Sequence, residues 1–451
     1  MNFRDLPAQP VGPLSEAMFY SETEQCPRGG YGYFLFRGQV DVDAFREAVR
    51  RTQYAYPSLV SRLEERRVGL RRMLWRVPVD EPPPLEVIDA TQTADGRTHA
   101  RIMQDLTEPR YMCKMDLFRD APAQFILFRF PENCHGVLCH NHHTAADGST
   151  TMGFYRTLFA NYHELITGEP PDWKQAEDMT SSARAVEKYP AWPVIREMRA
   201  EARRRHKHPL IHFGRDVRPT SAKRDIIEIT LSEEETKAMV KKAKGLEATV
   251  NDLLSVEAIR SLDYVLGSPE GTLSFWIPAN VRTCAEDLRR ANYSSAVNID
   301  LIRAEREDEK RLLNVFVDRR RALFASGRPF VNLRLLRLLL SVVHHLPLRW
   351  RHAWMRGLLA QPTTFMSSNL GVLWPKRVEG KLTPYSVLTH AGGLDITHYG
   401  YNFSTDENVG HGLVSHTFDG RFCSTLSVNQ QVVDHDLATR FMSALKDRLI
   451  S

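Results

Sequence analysis

The sequence predicts an α/β protein built as two lobes, and three observations support that reading. A chain of 451 residues is about three times the ~150 residues usual for one domain, enough for two lobes that each enclose a core. Segments with strand-like alternation interleave with segments of helical period in both halves. Between the halves, from Glu169 to about Asp225, Pro170, Pro171, Pro190, Pro193, Pro209 and Pro219 stand among arginines and lysines and break any long period. An N-terminal lobe is therefore drawn at 1–180, a crossover at 181–225 and a C-terminal lobe at 226–451. No self-similar period of about 20–50 residues is present, which argues against a solenoid or propeller.

Taken in order, Gly32–Phe36 reads as a strand ending at Gly38. Asp43 is then expected to cap a helix whose Phe45, Ala48, Val49 and Thr52 share one face, and Pro57 closes the unit. Gln124–Phe130 and Gly136–His142 are apolar or alternating runs separated by Pro131-Glu132-Asn133-Cys134, which suggests a β-hairpin. Tyr155, Leu158, Tyr162 and Leu165 recur at helical spacing and Gly168 ends that helix. In the second half Ile226–Ile229 reads as a strand, and Ser232 with Glu235 forms a capping box for a helix to Gly245. Thr249 to Leu266, Arg311–Ser326 and Asn332–Leu359 read as helices. Thr272–Ile277, Thr364–Leu373, Tyr385–His390 and Phe422–Val428 read as strands.

Composition narrows the function classes. Sixty Lys+Arg against 55 Asp+Glu give a formal charge of only +5, too mild to make nucleic acid the main partner. Cys26, Cys113, Cys134, Cys139, Cys284 and Cys423 are scattered without a C-x-x-C pair, so a reducing compartment fits better than a disulfide framework. The N-terminus lacks the apolar run of a signal peptide, and no stretch approaches the ~18 apolar residues of a membrane span. A cytoplasmic monomer without stable membrane insertion is the expectation.

The segment most informative for chemistry is His142-His143-Thr144-Ala145-Ala146-Asp147-Gly148, where a strand meets a tight turn and a helix begins. An imidazole at a rigid strand end, beside the positive end of a helix, suits attack on a carbonyl. Its ordinary pKa of about 6.5 lets it take a proton from a hydroxyl or amine and return it to a departing thiolate. Cys134, His135, Cys139, His140, His142 and His143 also crowd this region, and on a strand His140 and His142 share a face. No carboxylate or third histidine follows at familiar ligand spacing, so no metal site is assigned. His344-His345 lacks the following Asp-Gly and reads as helix packing, and Leu333–Leu340 as a core helix rather than a membrane-surface one.

This H-H-x-x-x-D-G motif resembles the signature of the acyltransferase superfamily that includes chloramphenicol acetyltransferase and the condensation domains of non-ribosomal peptide synthetases. Further landmarks follow in family order: Pro13-Leu14-Ser15, Tyr56-Pro57-Ser58-Leu59 with Arg62, Thr249-Val250-Asn251-Asp252, Ile277–Arg282 and Ser368-Asn369-Leu370-Gly371. The resemblance implies a V-shaped pair of α/β sandwiches, with an active-site tunnel between the lobes. It implies His143 as general base, with His142, Asp147 and Gly148 structural, Asp147 turned towards an arginine for which Arg282 is the candidate. Ser367, Ser368 and Asn369 are candidates for oxyanion or tunnel positions. Arg203, Arg204, Arg205 and Lys207 are candidate contacts for coenzyme A phosphates or an acidic carrier protein.

The implied reaction moves an acyl group directly from a coenzyme A or phosphopantetheine thioester, a co-substrate rather than a tightly bound cofactor, to a small-molecule hydroxyl or amine. Two rivals stand beside it: a free-standing condensation enzyme working on acyl or peptidyl carrier proteins, and a catalytically silent binding protein of the same fold. The D-F-G-W-G segment of the plant branch is missing, and Ser368-Asn369-Leu370-Gly371 departs from the S-N-x-P-G of the wax ester branch.

Overall fold

The computed structural model describes residues 2–93, 96–111, 113–169, 190–281, 292, 294–359, 363–373, 389–402 and 410–451. The first half supplies β1 (Gln9–Pro10), α1 (Pro13–Ser21), β2 (Gly29–Arg37), α2 (Val42–Ala55), β3 (Ser61–Val68), β4 (Arg71–Pro78), β5 (Glu86–Asp89), α3 (His99–Tyr111), β6 (Ala123–Arg129), β7 (Cys134–His142) and α4 (Gly148–Thr167). The crossover contributes α5 (Ala191–Lys207). The second half supplies β8 (Arg224–Thr230), α6 (Glu233–Gly245), α7 (Val250–Leu266), β9 (Thr272–Asn280), β10 (Ser294–Ile302), α8 (Arg303–Arg306), α9 (Glu309–Ala325), α10 (Arg328–Val343) and α11 (Leu348–Leu359). It ends with β11 (Phe365–Val372), β12 (His390–Ala391), β13 (Leu394–Asn402), β14 (His411–Phe418), β15 (Arg421–Asn429) and α12 (His435–Ile450).

Among the described residues, one six-stranded sheet runs β12-β13-β2-β7-β6-β5 and a second runs β10-β9-β11-β14-β15-β8. The first sheet is buried on both faces, which is why its strands read as nearly continuous apolar runs. Phe34, Phe36, Phe125 and Val137 face the helices α2 and α4, whereas Tyr31, Tyr33, Ile126 and Leu138 pack with Ile102 and Met103 of α3. In the second lobe Leu273, Phe275, Val297 and Ile299 pack with Leu253 of α7, Phe316 of α9 and Phe441 of α12. This is the two-lobed α/β fold expected.

The lobes are laced together by chain exchange. β13 pairs antiparallel with β2, from Asp395 opposite Arg37 to Asn402 opposite Tyr31, so a strand from the second half completes the first sheet. In return, α1 packs against α10 and α11 through Phe19, Tyr20, Leu340, Val343 and Met355. Buried polar contacts tie the same seam: His344 Nε2 lies 2.9 Å from Glu16, and the sealed Arg351 donates to Tyr20 at 3.1 Å and pairs with Glu65 at 3.2 Å.

Several elements depart from the sequence expectation. Asp41, not Asp43, caps α2, its carboxylate accepting from the N–H groups of Asp43 and Ala44 at 3.0 and 2.9 Å. The crossover contains helix α5 because Pro193 falls in its first turn, where the missing N–H costs nothing. The single helix expected over Asn332–Leu359 is two, broken at 344–347 where Pro347 precedes α11. Residues 385–388 of the expected strand Tyr385–His390 lie outside the described residues, and β12 takes up only its end.

Candidate active site

Every residue of β7 is buried, and the strand delivers the motif to the place where the chain leaves the sheet. There the N–H of His142 donates to the Pro122 carbonyl and that of His143 to the Arg28 carbonyl, both at 2.8 Å. A turn closes when the Ala145 N–H reaches the His142 carbonyl at 2.9 Å. Asp147 then caps the 20-residue α4, its Oδ1 accepting the Thr150 N–H at 2.9 Å, so the motif's carboxylate satisfies one of the orphan donors at the helix start. Arg76 of β4 braces the turn from the side by donating to the Thr144 carbonyl at 2.6 Å.

Gly148 faces the second lobe: a Cβ at this position would lie 2.7 Å from Cδ2 of Leu370 in β11, so a larger residue would have to push that side chain aside. This contact brings the segment holding Ser367, Ser368 and Asn369 up to the motif. Ser367 is buried, and the Asn369 side-chain oxygen accepts the Gly371 N–H at 2.8 Å.

The two histidines have different environments. His142 is sealed, its Nε2 3.0 Å from the Glu22 carboxylate and its Nδ1 accepting the Thr144 N–H at 3.0 Å. An acceptor at Nδ1 places the ring hydrogen on Nε2, which donates it to Glu22. Burial would raise the Glu22 carboxyl, but His142 and the Arg28 N–H hold it below the usual carboxylate range. Both ring nitrogens are thus engaged, consistent with a structural His142.

His143 lies deep in the molecule yet keeps part of its surface accessible. Asn292 approaches from the second half: its Nδ2 stands 3.0 Å from His143 Nδ1 and 3.1 Å from the His143 carbonyl oxygen. Ser294 fixes the amide's orientation by donating its hydroxyl to Asn292 Oδ1 at 2.9 Å. Among the described residues His143 Nε2 has no hydrogen-bond partner. Burial pulls the His143 pKa below the ordinary imidazole value; Asp147 and the residue's own carbonyl oppose this, and Arg28 adds to it. The ring is therefore neutral near pH 7, with one nitrogen braced and the other open.

The structure thus assembles His142, His143, Asp147 and Gly148 at one turn, while Arg282 lies outside the described residues. Of the candidate phosphate contacts, Arg205 has its guanidinium held by Asp300 at 2.7 and 2.9 Å, tying α5 to β10. Arg203 and Lys207 are exposed on α5, which also contains Arg204. No group of three possible metal ligands occurs among the described residues. Glu22, Arg28, Arg76 and Asn292 belong to the site's frame but carry no motif; their sequence separation from His143 conceals them.

Comparison with known proteins agrees with this geometry. A family model described as Condensation domain matches residues 31–259. The chain is similar to the first condensation domain of the calcium-dependent antibiotic synthetase in complex with a substrate analogue, with a TM-score of 0.71 and 15% identity over 99% of this chain and 96% of that one. It is similar to polyketide synthase associated protein 5 from Mycobacterium tuberculosis, with a TM-score of 0.65 and 14% identity over 98% of both chains. It is also similar to TRI3 trichothecene 15-O-acetyltransferase from Fusarium sporotrichioides, with a TM-score of 0.70 and 10% identity over 98% of this chain and 95% of that one. No curated protein sequence matches the chain.

Proposed function

Because the chain belongs to the condensation-domain family, we propose that it transfers an acyl group from a thioester to a hydroxyl or amine, with His143 as general base. The observation that carries this reading is the open Nε2 of a partly accessible, neutral imidazole whose Nδ1 faces its own carbonyl and Asn292. The Asn292 amide donates towards Nδ1 in the resting geometry; in the reactive tautomer the ring hydrogen sits on Nδ1, directed at the His143 carbonyl in place of that contact, and Nε2 presents a lone pair. It takes the proton of the acceptor's O–H or N–H as that atom attacks the thioester carbonyl. The tetrahedral intermediate collapses, the C–S bond breaks, and the imidazolium returns the proton to the thiolate, so acyl ester or amide and free thiol leave without an acyl-enzyme.

The negative oxygen of that intermediate needs donors. Ser367, Ser368 and the Asn369 amide, whose oxygen is already occupied by Gly371, are assigned to this role because Leu370 brings their strand against Gly148. Arg203 and Lys207 are assigned to phosphates of a coenzyme A or phosphopantetheine donor, since α5 leaves them in solvent.

The test is thiol release from mixed acyl-CoAs in the presence of candidate alcohols and amines, with products read by mass spectrometry. His143→Ala is expected to abolish turnover with an unchanged circular dichroism spectrum. Turnover retained by that variant would end the assignment. A parent protein inactive with free acyl-CoA but active with loaded carrier protein would identify the donor as carrier-bound, and cytoplasmic placement follows from either donor.

A further inference from the structure

Fifteen large hydrophobic side chains are exposed among the described residues, and six of them fall on one part of the surface. Val68 and Leu70 are 48% and 79% exposed at the turn between β3 and β4. Leu338 and Val342 are 57% and 59% exposed on α10, and Trp350 and Trp354 are 53% and 50% exposed on α11. Each helical pair is spaced i,i+4, so it forms a stripe on one helix face. These faces point away from a shared core, since Leu340, Val343 and Met355 of the two helices pack with Leu63 and Leu74 of the hairpin. Two bonds hold the turn beside the joint between the helices: the Arg72 N–H donates to the His344 carbonyl at 3.0 Å, and Arg351 pairs with Glu65 at 3.2 Å.

Along α10 and α11 the charge has one sign. No Asp or Glu occurs between Asp318 and Glu379, and Arg337, Arg349 and Arg356 stand exposed among the apolar stripes. The turn reads Arg66-Arg67-Val68-Gly69-Leu70-Arg71-Arg72, with the acids on its stem neutralised: Glu64 pairs with Arg66 at 2.8 Å, and Glu65 with Arg351. A projecting apolar tip ringed by arginines and flanked by tryptophans matches an interface that is apolar inside and negatively charged at its surface.

We propose that the β3–β4 turn and the outer faces of α10 and α11 dock the protein on an anionic lipid bilayer. Leu70 and the tryptophans enter the headgroup layer, and the arginines meet lipid phosphates. The core reading of Leu333–Leu340 holds for Leu333 and Leu340, which are buried, while Leu338 belongs to the outer stripe. No helix among the described residues is long and apolar enough to cross a membrane, so the attachment is to the surface. β4 connects this surface to the active site: Arg71 opens the strand beside the turn and Arg76 holds the Thr144 carbonyl, five residues or about 17 Å along it.

The experiment is sedimentation of the full chain with vesicles of phosphatidylcholine alone or mixed equally with phosphatidylglycerol, at low and high salt. Binding is expected to the mixed vesicles, to weaken with salt, and to fall about tenfold in a Leu70→Ser, Trp350→Ser, Trp354→Ser variant whose melting curve matches the parent. Tryptophan emission of the parent should shift to the blue on the mixed vesicles and be quenched by brominated lipid. Absence of binding to anionic vesicles, or equal binding by parent and variant, overturns the proposal. So does loss of a dimer, or of binding to an acidic carrier protein, in that variant without any lipid binding by the parent.

Discussion

At the scale of the residue, the imidazole proposed as general base is set by a partner far away in sequence. Because burial holds His143 below the ordinary imidazole value, the acid limb of kcat/KM should fall below pH 6.5, with activity rising as the pH increases through it. Asn292→Asp should move that limb upward, since a carboxylate beside Nδ1 favours the charged ring. Asn292→Ala should cut kcat by roughly ten- to a hundredfold by releasing the ring. Glu22 carries a stability prediction of defined sign. Its carboxyl is held below the ordinary glutamate value of 4.5, so its contribution is complete above that pH and is lost as the pH falls through the lowered folded value. Glu22→Gln should remove this acid-side slope from a denaturation series. The motif made His143, Asp147 and Gly148 legible because their spacing is local. Asn292 and Glu22 were not, because a lone polar residue acquires meaning only when another segment folds against it.

At the scale of the element, local chemistry decided what could be read. The capping box of Ser232 and Glu235 lies within one turn, and α6 begins where it predicts. The left-handed Gly168 likewise ends α4 as expected. The boundary of α2 was misjudged because Asp41 and Asp43 offer the same cap in sequence, and only Asp41 reaches the free N–H groups. Asp147→Ala should destabilise the protein by about 1 kcal/mol through loss of the α4 cap, and thermal melting measures it. A greater fall in activity than in stability would locate the effect in the turn that carries His143. The β3–β4 hairpin went unread because its strands are charged and arginine-rich and lack the apolar alternation that marks a strand.

At the scale of the whole molecule, composition and interleaving gave two lobes, but the exchange between them was invisible. Strand pairing across hundreds of residues leaves no periodic trace, and Leu394–Asn402 could equally have joined the second sheet. With β13 bonded along β2 and α1 packed on α10 and α11, the halves share hydrogen bonds and core. A fragment of residues 1–225 is therefore expected to aggregate through the open edge of β2, whereas the full chain remains in solution. Size-exclusion chromatography of the two proteins decides it; a well-behaved monomeric fragment would show that the exchange is dispensable.

The borrowed strand also has a consequence for biosynthesis. At ~5–20 residues per second, the ribosome takes about 20 to 70 seconds to travel from Arg37 to Asn402. Throughout that interval the nascent chain carries an unzipped flank on its earliest sheet, and every premature stop before Asn402 leaves that flank permanently bare. Truncated products would therefore expose an unpaired sheet edge of the kind that promotes aggregation.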